Sequence, residues 1–237
     1  MYGYHSEEVT MSAEQVLEWV SGSDPVWSVI WLHGLGADNT DFQDLPRLLK
    51  LPPNEAVRFL LPNAPKRPIT LNGGVVMRGW YDIEGLDMAR RVDEDGLKDA
   101  SSRVVALIDQ EKARGIGAHK IFVGGFSQGG AVSLYTALRH DESLAGIIAL
   151  STYLPLADRL DEDISAENRD IPIFMGHGQM DPLVPLSLAE QGLETLRAHH
   201  YPVTWKTYPI PHSVSPLEFQ DLSAWFGEIM GESQNIS

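Results

Sequence analysis

Short runs rich in Val, Ile and Phe recur along this chain, each bounded by Gly, Pro or Asp, and several are separated by longer stretches with helical spacing. They are Val26–Leu32, Val57–Leu61, Lys120–Gly124, Gly146–Ser151, Ile171–Gly176 and Val203–Tyr208. Unbroken apolar character over a strand's length suits strands covered on both faces, whereas a strand with one wet face alternates. The intervening segments supply the cover. Leu97–Arg114 carries Val104, Leu107, Ile108 and Glu111 at steps of three and four, and Gln128–Arg139, Leu186–His199 and Leu217–Met230 follow the same period. Strands alternating with helices predict an α/β fold with a mostly parallel central sheet and helices on both faces. The stretch Pro62–Arg91 breaks this rhythm. It holds Pro62, Pro65 and Pro68, then Asn72-Gly73-Gly74 between two short apolar runs, which predicts a short lid-like hairpin.

No repeat, low-complexity tract or linker divides the 237 residues, so a single domain over 1–237 is expected, with 1–25 as a peripheral amino-terminal segment. A hydrophobic content of 43% is enough for a sizeable core. No apolar run reaches the roughly 18 residues of a membrane span, and Met1–Thr10 lacks the basic start and apolar stretch of a secretory signal. The absence of cysteine excludes disulfides, thiolate metal sites and cysteine nucleophiles, and a cytoplasmic location is expected. A formal net charge of −15 repels phosphate backbones and anionic membranes, so neither nucleic acid nor stable membrane anchoring is expected. The acidic stretch Asp158–Asp170 reads as a solvated surface loop.

Gly125-Phe126-Ser127-Gln128-Gly129 is a G-x-S-x-G pentapeptide with a strand before it and a helix after it. That context defines a nucleophile elbow, a turn so sharp that side chains two residues either side of the serine would collide. It lifts the Ser127 hydroxyl above the sheet at the positive end of the following helix.

A serine hydroxyl is a weak nucleophile until an imidazole takes its proton. In strand–helix hydrolases the chain order is serine, acid, histidine, each after a successive strand. His212 follows the run Val203–Tyr208, and Asp181 follows Ile171–Gly176, so these two are the expected base and its orienting acid. His5, His119, His140, His199 and His200 lie in the tail or on and beside helices. His33 and His177 end strands near the site and read as hydrogen-bonding their own loops. Asp158, Asp161 and Asp163 precede the strand that should carry the acid. Charge developing on a carbonyl oxygen needs fixed N–H donors. Gln128, the residue after the nucleophile, supplies one, and the loop His33-Gly34-Leu35-Gly36-Ala37-Asp38 after an early strand supplies the other through Leu35.

Leu32-His33-Gly34-Leu35-Gly36-Ala37, Pro62-Asn63-Ala64-Pro65, Trp80-Tyr81-Asp82, Gly124-Gly125-Phe126-Ser127-Gln128-Gly129-Gly130, Ser151-Thr152-Tyr153-Leu154-Pro155 and His177-Gly178 with Asp181-Pro182 and Pro185 stand in this order. The chain thereby closely resembles the acyl-protein thioesterase and lysophospholipase family, also called the phospholipase/carboxylesterase family, from about Trp27 to Phe226. The resemblance implies the α/β-hydrolase fold and a cofactor-independent esterase with a groove for an acyl chain. It assigns the triad Ser127, Asp181 and His212 and the oxyanion donors Leu35 and Gln128. It lines the groove near Leu71, Trp80, Tyr153 and Leu183, which read from the residues alone equally well as core or loop packing. Dimers occur in the family, so a homodimer is an expectation. Two departures stand out: Pro211 occupies a position where the family commonly has glycine, and there is no cysteine for an amino-terminal lipid anchor.

The expected function is cleavage of carboxylic esters or thioesters of short to medium acyl chains, the partner being a small-molecule or acylated substrate. The alternatives are a lysophospholipase, or a non-catalytic hydrolase-fold ligand receptor, a class that typically lacks a triad member.

Overall fold

The computed structural model describes residues 16–52, 55–85 and 92–232. The expectations placed on Met1–Thr10 lie outside them. A seven-stranded sheet forms the middle layer, in the order β1-β3-β2-β6-β7-β8-β9. Its strands are β1 (Val16–Val20), β2 (Trp27–Leu32), β3 (Val57–Pro62), β6 (Ile121–Phe126), β7 (Gly146–Leu150), β8 (Ile173–Gly178) and β9 (Val203–Tyr208). All pairs from β3 through β9 are parallel, and β1 adds to the edge antiparallel to β3. A separate hairpin is made by β4 (Lys66–Ile69) and β5 (Val75–Arg78). The helices are α1 (Leu45–Leu48), α2 (Glu94–Ala113), α3 (Gln128–Ala137), α4 (Leu160–Asp163), α5 (Leu186–Ala198) and α6 (Pro216–Glu232).

Every residue of β2, β7 and β8 is buried, as continuous apolar runs require of central strands. Alternate residues serve two cores. Ile30, Val123, Ile147 and Ile173 face α2, α3 and α5, while Val29, Phe122, Ile148 and Phe174 face α1 and α6. On the second face Phe122 meets Phe226 edge-on, with ring centroids 4.7 Å apart. The stripe Val104, Leu107, Ile108 and Glu111 is the buried side of α2.

Two differences from the sequence reading have plain causes. The peripheral segment before Val26 contributes β1, an edge strand whose mixed exposure gives no continuous apolar run. Strand β8 begins at Ile173 rather than Ile171, because Pro172 cannot donate a ladder hydrogen bond; its carbonyl instead accepts from Ile147 at 2.9 Å.

Parallel strands send their carboxyl ends to one edge of the sheet. The loops after β2, β6, β7, β8 and β9 therefore gather there, and these are the loops carrying His33–Leu35, Ser127, Tyr153, Asp181 and His212.

Candidate active site

Ser127 joins β6 to α3 with φ 55° and ψ −121°, a conformation that L-residues adopt only under tertiary constraint. The constraint is packing against β2. A Cβ on Gly129 would stand 2.2 Å from the Leu32 carbonyl oxygen, and one on Gly125 2.6 Å from the same atom. Glycine at both positions lets β6 and α3 close on β2 tightly enough to form the elbow. Thr152 Oγ1 donates to the Ser127 carbonyl at 2.7 Å, and the Ser127 amide donates to Leu150 at 2.8 Å, so the loop after β7 braces the turn.

His212 comes to Ser127 from the loop after β9. Its Nε2 lies 3.0 Å from Ser127 Oγ, and its Nδ1–H donates to Asp181 Oδ2 at 2.6 Å. Its ring packs on Phe126 with centroids 4.7 Å apart. The Asp181 carboxylate is enclosed, and its other oxygen accepts the Leu183 and Val184 amides at 2.9 Å each. These bonds fix the carboxylate while leaving Oδ2 to the imidazole. His177 anchors the same loop by donating from Nε2 to the Val184 carbonyl at 2.9 Å. Burial holds its pKa below the usual value, so it stays neutral beside Asp181. Gly178 admits the His212 loop: a Cβ there would stand 2.2 Å from the Pro211 carbonyl oxygen. The Ser213 amide donates back to Pro211 at 2.9 Å, a three-residue turn with His212 at its apex.

The Gln128 amide opens α3 and has no helical carbonyl to bond. The Leu35 amide likewise donates to no protein acceptor among the described residues. Its loop is fixed on either side by Gly36 N–H to the Arg78 carbonyl, 2.8 Å, and by His33. His33 Nδ1–H donates to Gly34 at 2.7 Å, while its Nε2 accepts the Ala64 amide at 3.0 Å. Only the neutral Nδ1–H tautomer satisfies both, and burial lowers the His33 pKa accordingly.

A cavity of about 380 Å³ opens onto Ser127, bordered by Leu35, Leu71, Tyr81, Ile83, Tyr153 and Leu183 among others. The structure thus brings Leu71, Tyr153 and Leu183 together there. Trp80 is not on its border: the indole is 1% exposed and donates from Nε1 to the His33 carbonyl at 2.9 Å, behind the Leu35 loop. Its sequence neighbours Tyr81 and Ile83 border the cavity in its place, and the Trp80-Tyr81-Asp82 motif is the signal from which Tyr81 could have been found. The Gln128 side chain clamps this segment to the elbow, accepting from the Trp80 amide at 2.8 Å and donating to the Tyr81 carbonyl at 2.7 Å. The hairpin hangs from the same segment through Leu71 N–H to Ile83, 2.8 Å, and through Thr70 N–H to the Asp82 carboxylate, 2.8 Å.

A second hollow of about 330 Å³ lies across Phe126, bordered by Phe42, Leu48 and Val214, and it shares Asp41 and His212 with the first. Away from both, at the opposite end of the sheet, His140, Asp141 and Glu142 come close enough to share an ion, but Glu142 is already paired with Lys112.

Known proteins share this chain's sequence and fold over most of its length. Acyl-protein thioesterase 1 of Mycosarcoma maydis is 36% identical over 225 residues, covering 89% of this chain and 94% of that protein. Acyl-protein thioesterase 1 of Cryptococcus neoformans var. neoformans serotype D is 35% identical, covering 86% and 92%. Among solved structures, Arabidopsis thaliana SOBER1 superposes with a TM-score of 0.81 at 29% identity, covering 86% of this chain and 99% of that one. Acyl-protein thioesterase 2 of Zea mays gives 0.80 at 28% identity, covering 90% and 99%. With the phospholipase/carboxylesterase family pattern matching residues 17–228, the chain belongs to that family of α/β-hydrolases.

Proposed function

We propose that Ser127, His212 and Asp181 are the catalytic triad of this esterase and that its substrates are carboxylic esters or thioesters of short to medium acyl chains. The observation that carries the assignment is the relay itself, with 3.0 Å between Ser127 Oγ and His212 Nε2 and 2.6 Å between His212 Nδ1 and Asp181. Ser127 Oγ–H gives its proton to Nε2 as the oxygen attacks the acyl carbonyl. The resulting oxyanion is met by the Leu35 and Gln128 amides, which have no competing protein acceptor. His212 then protonates the departing alcohol or thiol, leaving the acyl group on Ser127. Water, deprotonated by the same imidazole, releases it. Asp181 keeps the proton on Nδ1 and balances the imidazolium.

The acyl chain occupies the cavity bordered by Leu71, Tyr153 and Leu183, with Tyr81 and Ile83 added and Trp80 as a buttress of the Leu35 loop. The leaving group faces the hollow on the His212 side of Phe126. Acylated proteins are a substrate class suggested by the thioesterases at 35–36% identity. Among the described residues no helix is long and apolar enough to cross a membrane. Cytoplasmic residence and a homodimer belong to the same reading.

Ser127→Ala tests the assignment. It should cut turnover of esters and thioesters by about 10⁴- to 10⁶-fold and abolish labelling by a fluorophosphonate while the far-ultraviolet circular dichroism is unchanged. Retention of more than a tenth of the activity by a clean preparation would refute it.

A further inference from the structure

Tyr81 and Tyr153 reach the cavity from separate elements, one just past β5 and the other just past β7, and their hydroxyl oxygens meet at 2.7 Å. Both residues border the cavity, and they are 1% and 3% exposed. A phenol has one proton to donate. The pair therefore holds two protons and uses one in its mutual hydrogen bond. Neither hydroxyl has another partner among the described residues. One O–H donor is left over in an enclosed setting, where an unpaired donor is unfavourable. Burial raises the pKa of both phenols, that of Tyr153 to about 12, so the spare donor keeps its proton at neutral pH. Of the polar side chains on the same border, Gln128 has its amide oxygen taken up by the Trp80 amide, and neither hydroxyl bonds to Asn72 or Asp41.

Building on the reading of this cavity as the acyl site, we propose that the Tyr81–Tyr153 pair recognises a neutral oxygen on the acyl chain, so that the preferred acyl group is oxygenated (hydroxy, oxo or ether) and not plainly aliphatic. A second carboxylate on the chain is disfavoured, because the same cavity is bordered by Asp41 and lies in a protein of formal net charge −15. A site with a buried donor discriminates against the analogue that lacks the matching acceptor, because the donor then stays unpaired in the complex.

The test uses p-nitrophenyl alkanoates against oxa-alkanoates of equal length, with one methylene replaced by oxygen at successive positions beyond the third carbon, where it does not activate the ester. Rates are normalised to hydroxide-catalysed hydrolysis. At one position the wild-type kcat/KM for the oxa-ester should exceed that for the alkyl ester by about tenfold. In the double variant Tyr81→Phe/Tyr153→Phe, which leaves no O–H at this place, that ratio should fall towards one, whereas each single variant still keeps one unpaired donor. A purely structural role would lower both substrates together and leave the ratio intact. Ratios at or below one at every position in the wild type, or a preference that survives the double phenylalanine variant, would overturn the proposal. Should the double variant fail to fold, the wild-type scan decides. Failure of the wild type to turn over either series would instead refute the esterase reading, and this proposal with it.

Discussion

Glu218 sits in the first turn of α6 with a side chain that is 0% exposed, and neither carboxyl oxygen has a hydrogen-bond partner among the described residues. Its backbone N–H donates to Ser215 Oγ at 3.1 Å, which is half of a capping box. Burial pushes its pKa up to about 7. The Ser215 amide opposes this without closing a hydrogen bond, and the Asp221 charge one turn on adds to it. Asp221 is itself held by Tyr208 at 2.9 Å and Lys206 at 3.7 Å. A pKa raised on folding means that the native state holds the proton more tightly than the unfolded chain. The stabilising effect is complete below about pH 4.5 and is lost as the pH climbs through about 7, a change on the order of 3 kcal/mol. Glu218→Gln should therefore flatten the decline in stability between pH 5 and pH 8, measured by urea unfolding at each pH. An unchanged decline would place the titrating group elsewhere. The Ser-x-x-Glu spacing is visible in the sequence, but the burial that shifts the pKa is not, because it depends on Gly176 of β8 leaving room for the carboxyl group. That Ser127, His212 and Asp181 would come together was legible for the opposite reason. The roles proposed for them follow from chain order and from glycines flanking a serine, both local features.

At the scale of elements, most strands that the sequence disclosed are covered on both faces and write continuous apolar runs, while the half-buried edge strand β9 showed itself through its β-branched and aromatic residues. Strand β1 has a wet face and stayed hidden, and the border of the cavity at Ser127 was only partly readable because it is set by long-range contact between the hairpin, the loop after β7 and the loop after β8. Which of Trp80, Tyr81 and Ile83 points at Ser127 is decided by the Gln128 clamp, a bond spanning 47 to 48 residues. The His212 loop illustrates a departure that costs little. Pro211 supplies its carbonyl to Ser213 and needs no amide of its own, so proline suits the turn. Pro211→Gly should lower stability by about 0.4–1 kcal/mol through greater freedom of the unfolded chain, with ester turnover little changed. Thermal unfolding and steady-state kinetics together check this. A variant that is both more stable and faster would show that proline strains the presentation of His212.

For the molecule as a whole, one ion-pair network centred on a buried carboxylate ties the edge of the sheet to its helical cover. Glu111 of α2, 0% exposed, accepts from Arg58 of β3 and Arg114 at 3.1 Å each, and both arginines also reach Glu18 of β1, at 3.2 and 2.9 Å. Removing a buried partner strands the charge that remains. Glu111→Ala should cost about 3 kcal/mol and lower the melting temperature by roughly 6–12 °C, readable by calorimetry. A shift under about 2 °C would show that water or Glu18 takes over the arginines. The network is remote from Ser127, so the loss should appear in stability and not in the wild-type-normalised kcat/KM at low temperature. The parallel order of the sheet has a further consequence for the living cell. The proposed nucleophile and base are 85 residues apart, after strands that are not neighbours, with the proposed acid between them in sequence. A ribosome therefore delivers Ser127 long before His212, and a nascent chain bears an inert hydroxyl until β9 has docked on β8. The order of synthesis alone would keep the proposed nucleophile unarmed until the last strand is in place.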